Sequence, residues 1–124
     1  MTSVDNKQIV ADAYAAMQGG DVPAFLAVLD EGIVVHEPDF LPYGGTANGR
    51  EAFVRLLPKA AALLDISRLV VDELIAEGDS VVALFRIGLA GSNAEARLAE
   101  RWLMRDGKAV ELRVFWFDPP VLEG

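Results

Sequence analysis

No cysteine occurs anywhere in the 124 residues, which excludes disulfide staples, thiolate nucleophiles and cysteine-held metals. Histidine is almost as scarce. His36 alone cannot complete a zinc set, and no Ser/His/Asp arrangement for nucleophilic catalysis is evident. Positive charge is in deficit too: 11 Lys and Arg against 19 Asp and Glu leave a net charge of −8. That surface repels phosphates and anionic lipid heads, so nucleic acid and membrane are poor partners. No apolar run approaches a membrane span, and the start, MTSVDNKQIV, has neither the basic residues nor the apolar stretch of a signal peptide. A cytoplasmic protein is the expectation. Repeats, low-complexity tracts and linkers are also missing, so residues 1–124 read as a single domain.

What the chain has is apolar residues, 52% of the total with two tryptophans and six phenylalanines, enough to fill a core at this length. From about Val4 to Gln18, residues Ile9, Val10, Ala13, Tyr14 and Met17 recur at helical spacing, and Gly19-Gly20 stops the helix. A short second helix follows, with Asp21 as N-cap, Pro23 in its first turn, and Phe25, Leu26, Val28 and Leu29 on the buried side. Ile33 to Glu37 reads as the first strand and PDFLPYGGTANG as a long loop. A third helix starts near Arg50, and Pro58 kinks or ends it. From Ile66 onward the period changes to that of strands, four of them, separated by the turn signals EGD, GSN and RDG. This order defines an α+β domain with helices packed on one face of a curved sheet.

The last hairpin decides what faces inward. In EARLAERWLMR, Arg97, Arg101 and Arg105 share one face while Leu98, Glu100, Trp102 and Met104 share the other, so Glu100 lies inside. In KAVELRVFWFD, Glu111 and Arg113 mark the outer face, putting Val110, Leu112, Val114, Trp116 and, at the strand's end, Asp118 inward. A two-residue Asp-Gly turn would set these apolar faces against each other. A three-residue turn, Arg105-Asp106-Gly107, pairs Met104 with Lys108, reconciles the faces and places Glu100 opposite Leu112. Phe115 and Phe117 are left on the outer face beside Arg113, which points to a homodimer through that face.

Two carboxylates stand out, Glu37 closing the first strand and Glu100 on an inner sheet face. Burial raises a carboxyl's pKa, so such groups take or hold a proton near neutral pH; each is either a catalytic group or a glutamate that only satisfies hydrogen bonds. Tyr14, on the buried stripe of the first helix, is placed to aim its hydroxyl into the same interior. Trp102 and Trp116 are either core or a platform for a ligand. His36, the neighbour of Glu37, points to the opposite face. LPYGG lacks the lysine of a phosphate loop, and its glycines read as turns in a pocket rim, with Phe40, Leu41 and Tyr43 as lid residues.

The segments AYAAMQGGDVPAFLAVLDEGIVVHEP, GREAF, AEGDSVVALFRI and RWLMRDGKAVELRVFWFD resemble, in order and spacing, the nuclear transport factor 2-like superfamily on its ketosteroid isomerase and SnoaL-like polyketide cyclase side. The resemblance spans nearly the whole chain. It implies a cone-shaped α+β (cystatin-like) fold: a curved mixed sheet, three helices from the N-terminal half on its concave face, a deep apolar pocket for a small apolar molecule, and a dimer. It implies Glu37 as the base that shuttles a proton between carbons, and Glu100 as a neutral acid donating to an enolate oxygen. Trp116, with Trp102, Phe40, Tyr43, Leu57, Leu112 and Asp118, would surround the substrate. No metal or organic cofactor is implied. The family's principal oxyanion tyrosine falls on Ala13, with Tyr14 one position later and turned about 100° around the helix; a second network tyrosine falls on Leu57. An isomerase or cyclase is the leading expectation. A non-catalytic ligand-binding or assembly protein is the alternative, and an epoxide hydrolase with an Asp-Arg-Asp set a weaker one.

Overall fold

Helix α1, Ser3–Gln18, begins where Thr2 and Asp5 cap each other: the Asp5 amide donates to the Thr2 hydroxyl oxygen and the Thr2 amide to the Asp5 carboxylate, both at 3.1 Å. The structure, a computed structural model, describes residues 2–118. The buried stripe of α1 consists of Asn6, Val10, Ala13 and Tyr14, and it packs across strands β3 (Leu64–Glu77) and β4 (Ser80–Leu89). Helix α2, Val22–Leu26, starts at Asp21, whose carboxylate accepts from the Ala24 amide at 3.2 Å, and buries Phe25. The expected third helix is broken in two, α3 (Arg50–Val54) and α4 (Leu57–Leu63). Pro58 sits in the first turn of α4, where a helix has no use for the N–H that proline lacks.

Six strands form one open mixed sheet in the order β2-β1-β6-β5-β4-β3. Strand β1 (Leu29–Glu37) starts four residues before the expected Ile33 and runs parallel to β6 (Lys108–Trp116); every other neighbour is antiparallel. The segment expected as a long loop contains β2 (Gly45–Asn48), paired from Glu37↔Gly45 to Val34↔Asn48. Four residues reading Gly-Thr-Ala-Asn carry no strand pattern of their own; the edge of β1 supplies it. β2 and β3 are the free edges.

Strand β5 (Glu95–Arg105) alternates as the sequence predicts, with Ala96, Leu98, Trp102 and Met104 buried. Its hairpin with β6 differs. The turn is the two-residue Asp106-Gly107, both at positive φ (50° and 78°), with Arg105 opposite Lys108. The mismatch of faces that this turn creates is removed one step later. Met104 pairs with Ala109 and Leu103 with Glu111, so Val110 is left over as a β-bulge. Ala109, rather than Val110, is therefore the buried residue at this level, and Glu100 lies opposite Val114, not Leu112.

Gly107 holds a backbone conformation that a Cβ disfavours. Gly107→Ala should lower stability by about 1 kcal/mol, read as an earlier urea midpoint at unchanged slope.

Candidate active site

Three strands bring the two glutamates into one row. His36 of β1 pairs with Arg113 of β6, so Glu37 continues onto the level of Val114, and Val114 pairs with Glu100 on β5. One strand separates them, which sets their Cα atoms about 10 Å apart with both side chains on the concave face. On its other side Glu100 pairs with Ala83 of β4, which is fully buried.

Both carboxyls line an apolar cavity of about 110 Å³. The sheet contributes Phe85, Ile87, Leu98, Leu112, Val114 and Trp116; the helices contribute Met17, Phe25, Phe53, Leu56, Leu57 and Ala60. The polar groups are Glu37, Glu100, Tyr14, Tyr43 and Trp116, whose buried indole N–H has no hydrogen-bond partner among the described residues, and no lysine, arginine or histidine is among the lining residues. Burial in this wall pushes the Glu37 carboxyl up to about 8, with the nearby charge of Glu100 adding to the effect. Burial also pushes Glu100 up to about 7, against the pull of a hydrogen bond from Tyr14.

The Tyr14 hydroxyl donates to Glu100 Oε1 at 2.5 Å and accepts from Trp102 Nε1 at 2.8 Å. Its ring is fixed by Trp102, edge-on with centroids 5.5 Å apart, and by Phe85 at 5.6 Å. Burial and the Glu100 charge raise its pKa well above the phenolic range, so the hydroxyl stays protonated. Tyr43 reaches the cavity from the tight loop 38–44. Leu41 and Gly44 amides close that loop on the Pro38 and Leu41 carbonyls at 3.2 and 2.9 Å. Gly44 has no substitute there, since a Cβ would lie 2.3 Å from the Pro38 carbonyl oxygen. Tyr43 is also held in its neutral form, by burial first and then by the two glutamates.

The structure thus gathers Glu37, Glu100, Tyr14, Tyr43, Leu57, Leu112 and Trp116 around one cavity. Three expected wall residues lie elsewhere. Trp102 is fully buried beneath the wall, packed edge-on against Phe25 and spending its N–H on Tyr14. Phe40 is 45% exposed and meets the site only through Trp116, edge-on with centroids 6.2 Å apart. Asp118 is exposed and pairs with Arg97 at 2.7 Å on the outer side, because the strand ends at Trp116 and its alternation no longer applies. Arg97, Arg101 and Arg105 stay on the outer face, where Arg101 bonds Glu111, so the arginine of an epoxide hydrolase set does not reach the cavity. His36 faces the same way, 3.8 Å from Glu111. The chain from Trp102 through Tyr14 to Glu100 was not foreseen as a unit. Its signal was the i, i+2 placement of Glu100 and Trp102 on one inner face beneath a helix carrying a buried tyrosine.

An open cone with two carboxyls facing helices defines an NTF2-like protein of the pocket-bearing kind. The chain belongs to the SnoaL-like domain family, which matches residues 10–112. Among solved structures it is similar to an NTF2-like protein of unknown function from Burkholderia pseudomallei, with 28% identity over 90% of each chain and a TM-score of 0.81. A second NTF2-like protein, from Burkholderia thailandensis, is 29% identical over 94% of this chain and 91% of its own, with a TM-score of 0.80. A candidate ketosteroid isomerase from Kribbella flavida shares the fold at 19% identity, covering 100% and 93%, with a TM-score of 0.78. No curated protein matches by sequence. No helix among the described residues is long and apolar enough to cross a membrane.

Both carboxyls bind protons more tightly in the folded chain than at their ordinary value of 4.5. Their stabilising contribution is therefore complete below about pH 4.5 and is lost as pH rises through about 7 and 8. The melting temperature should fall between pH 5 and pH 9, and Glu37→Gln or Glu100→Gln should each flatten that dependence in a calorimetric pH series.

Proposed function

We propose that this chain is a cytoplasmic, cofactor-independent enzyme of isomerase or cyclase type. It acts on an apolar carbonyl compound by abstracting a proton from carbon and returning it. The observation that carries this reading is the pair of raised carboxyls in an apolar cavity whose lining holds no cation to keep both ionised. Near neutral pH such a pair retains one proton, so a base and an acid stand ready together. The ionised carboxyl takes the proton from the carbon next to the carbonyl. The electron pair moves onto the carbonyl oxygen, where the protonated carboxyl and the Tyr43 hydroxyl donate hydrogen bonds. The proton then returns to carbon. Membership of the SnoaL-like family and the fold shared with the Kribbella flavida protein support the reaction style without naming the substrate.

The outer face is proposed to pair with a second copy of the chain. Phe115 and Phe117 are 51% and 70% exposed, with Leu84 beside them, and the ion pairs Arg86–Asp72 and Arg97–Asp118 border the patch. Both signs of charge around an apolar centre suit a self-complementary two-fold contact.

The enzyme reading is tested with a panel of enolisable ketones, enones and β-keto esters in deuterium oxide, followed by mass spectrometry. Exchange should follow a bell-shaped pH profile with limbs near 7 and 8, and Glu37→Gln or Glu100→Gln should each slow it at least 100-fold. A folded protein that exchanges nothing across the panel is instead a ligand-binding protein. Sedimentation should show a dimer that Phe115→Glu converts to monomer; a monomeric wild type rejects the dimer.

A further inference from the structure

The two carboxyls are not equivalent, and the hydrogen bonds around them differ in a way the sequence resemblance does not anticipate. Glu100 receives the Tyr14 hydroxyl proton at 2.5 Å, a length typical of an O–H bonded to a carboxylate. That bond has a fixed direction. The indole of Trp102 can only donate, and at 2.8 Å its N–H occupies the Tyr14 oxygen. Tyr14 makes no other hydrogen bond among the described residues, so Glu100 is the one acceptor for its proton. Were Glu100 to protonate and turn its own O–H toward Tyr14, the phenol hydrogen would be left buried and unpaired. Glu37, in contrast, receives no hydrogen bond to its carboxyl from any described residue.

Resting on the proton-transfer reading above, we infer that Trp102 and Tyr14 polarise the pair, leaving Glu100 as the carboxylate base and the shared proton on Glu37, which acts as the acid toward the carbonyl oxygen. This reverses the roles implied by resemblance. The titratable groups facing Glu100 are Tyr14 from α1, Glu37 from β1 and Tyr43 from the loop after it; the facing residues of α3, α4, β4 and β6 carry no titratable group, and Trp116 of β6 adds an indole N–H. No other titratable side chain lines the cavity. The Tyr43 hydroxyl, which makes no hydrogen bond with a described residue, lies close enough to Glu37 to feel its charge, and both groups line the same cavity. In the step itself the C–H proton passes to Glu100. The electron pair goes to the carbonyl oxygen, stabilised by the Glu37 and Tyr43 O–H groups, and the same proton leaves Glu100 for a second carbon. Trp102 and Tyr14 are positioning residues, since they act through Glu100.

The test is a carboxyl ¹³C NMR titration of glutamate-labelled protein without substrate, the two resonances assigned by their loss in Glu37→Gln and Glu100→Gln. In the wild type Glu100 should ionise first and Glu37 at higher pH. Tyr14→Phe should move the Glu100 midpoint up by about one pH unit or more, and Trp102→Phe should move it the same way by less. If Glu37 ionises first in the wild type, or if the Glu100 midpoint stays put in a folded Tyr14→Phe protein, the assignment is overturned. The predicted order together with no deuterium exchange would support the polarised pair and sink the enzyme. Exchange with the order reversed would keep the enzyme and sink the polarity.

Discussion

A carboxyl on the inner face of a sheet loses several kcal/mol of hydration unless something replaces the water, and in this chain one phenol does so. Tyr14 bonds Glu100, and Trp102 bonds Tyr14, so the first helix, the fifth strand and the core beneath them are tied at one oxygen atom. The remaining architecture suits that knot. Phe85 and Trp102 clamp the phenol ring, and the buried stripe of α1 sets its height above the sheet. A polar network of this kind in a dry surrounding constrains geometry more than it adds stability, because every partner must be present for any of them to be tolerated.

Much of the fold could be read from the chain because its signals are local. The Gly-Gly stop after α1, the Asp21 cap and the alternation of β5 each specify their own surroundings. Where reading failed, the cause was a neighbour. β2 exists because β1 offers it an edge, and the last turn is two residues rather than three because Val110 absorbs the offset further along. Periodicity shows that two apolar faces must meet; it does not show where along the hairpin the extra residue will be spent.

The site was legible in a similar measure. Glu100 was read from strand alternation and Glu37 from its place at the end of the first strand, and strand pairing sets them in one row. Trp102, Phe40 and Asp118 were misplaced for separate reasons. An inward residue can lie beneath a wall as well as on it, a loop can turn its aromatic away from the interior, and a strand can stop two residues before its pattern is counted out. The rotation expected from placing Tyr14 one position late does not exclude it from the cavity. The helix is seated so that this hydroxyl, rather than one from Ala13's position, meets the glutamate.

The lack of any cation in the cavity lining reaches beyond acid–base balance. It makes the interior a charge filter. A molecule bearing a carboxylate or phosphate would meet like charge and find no counter-ion, so the lining favours uncharged ligands over anionic ones. On the proposed reaction the same filter would work on the way out: an enolate formed inside would have only hydrogen-bond donors to stabilise it and would regain its proton before release.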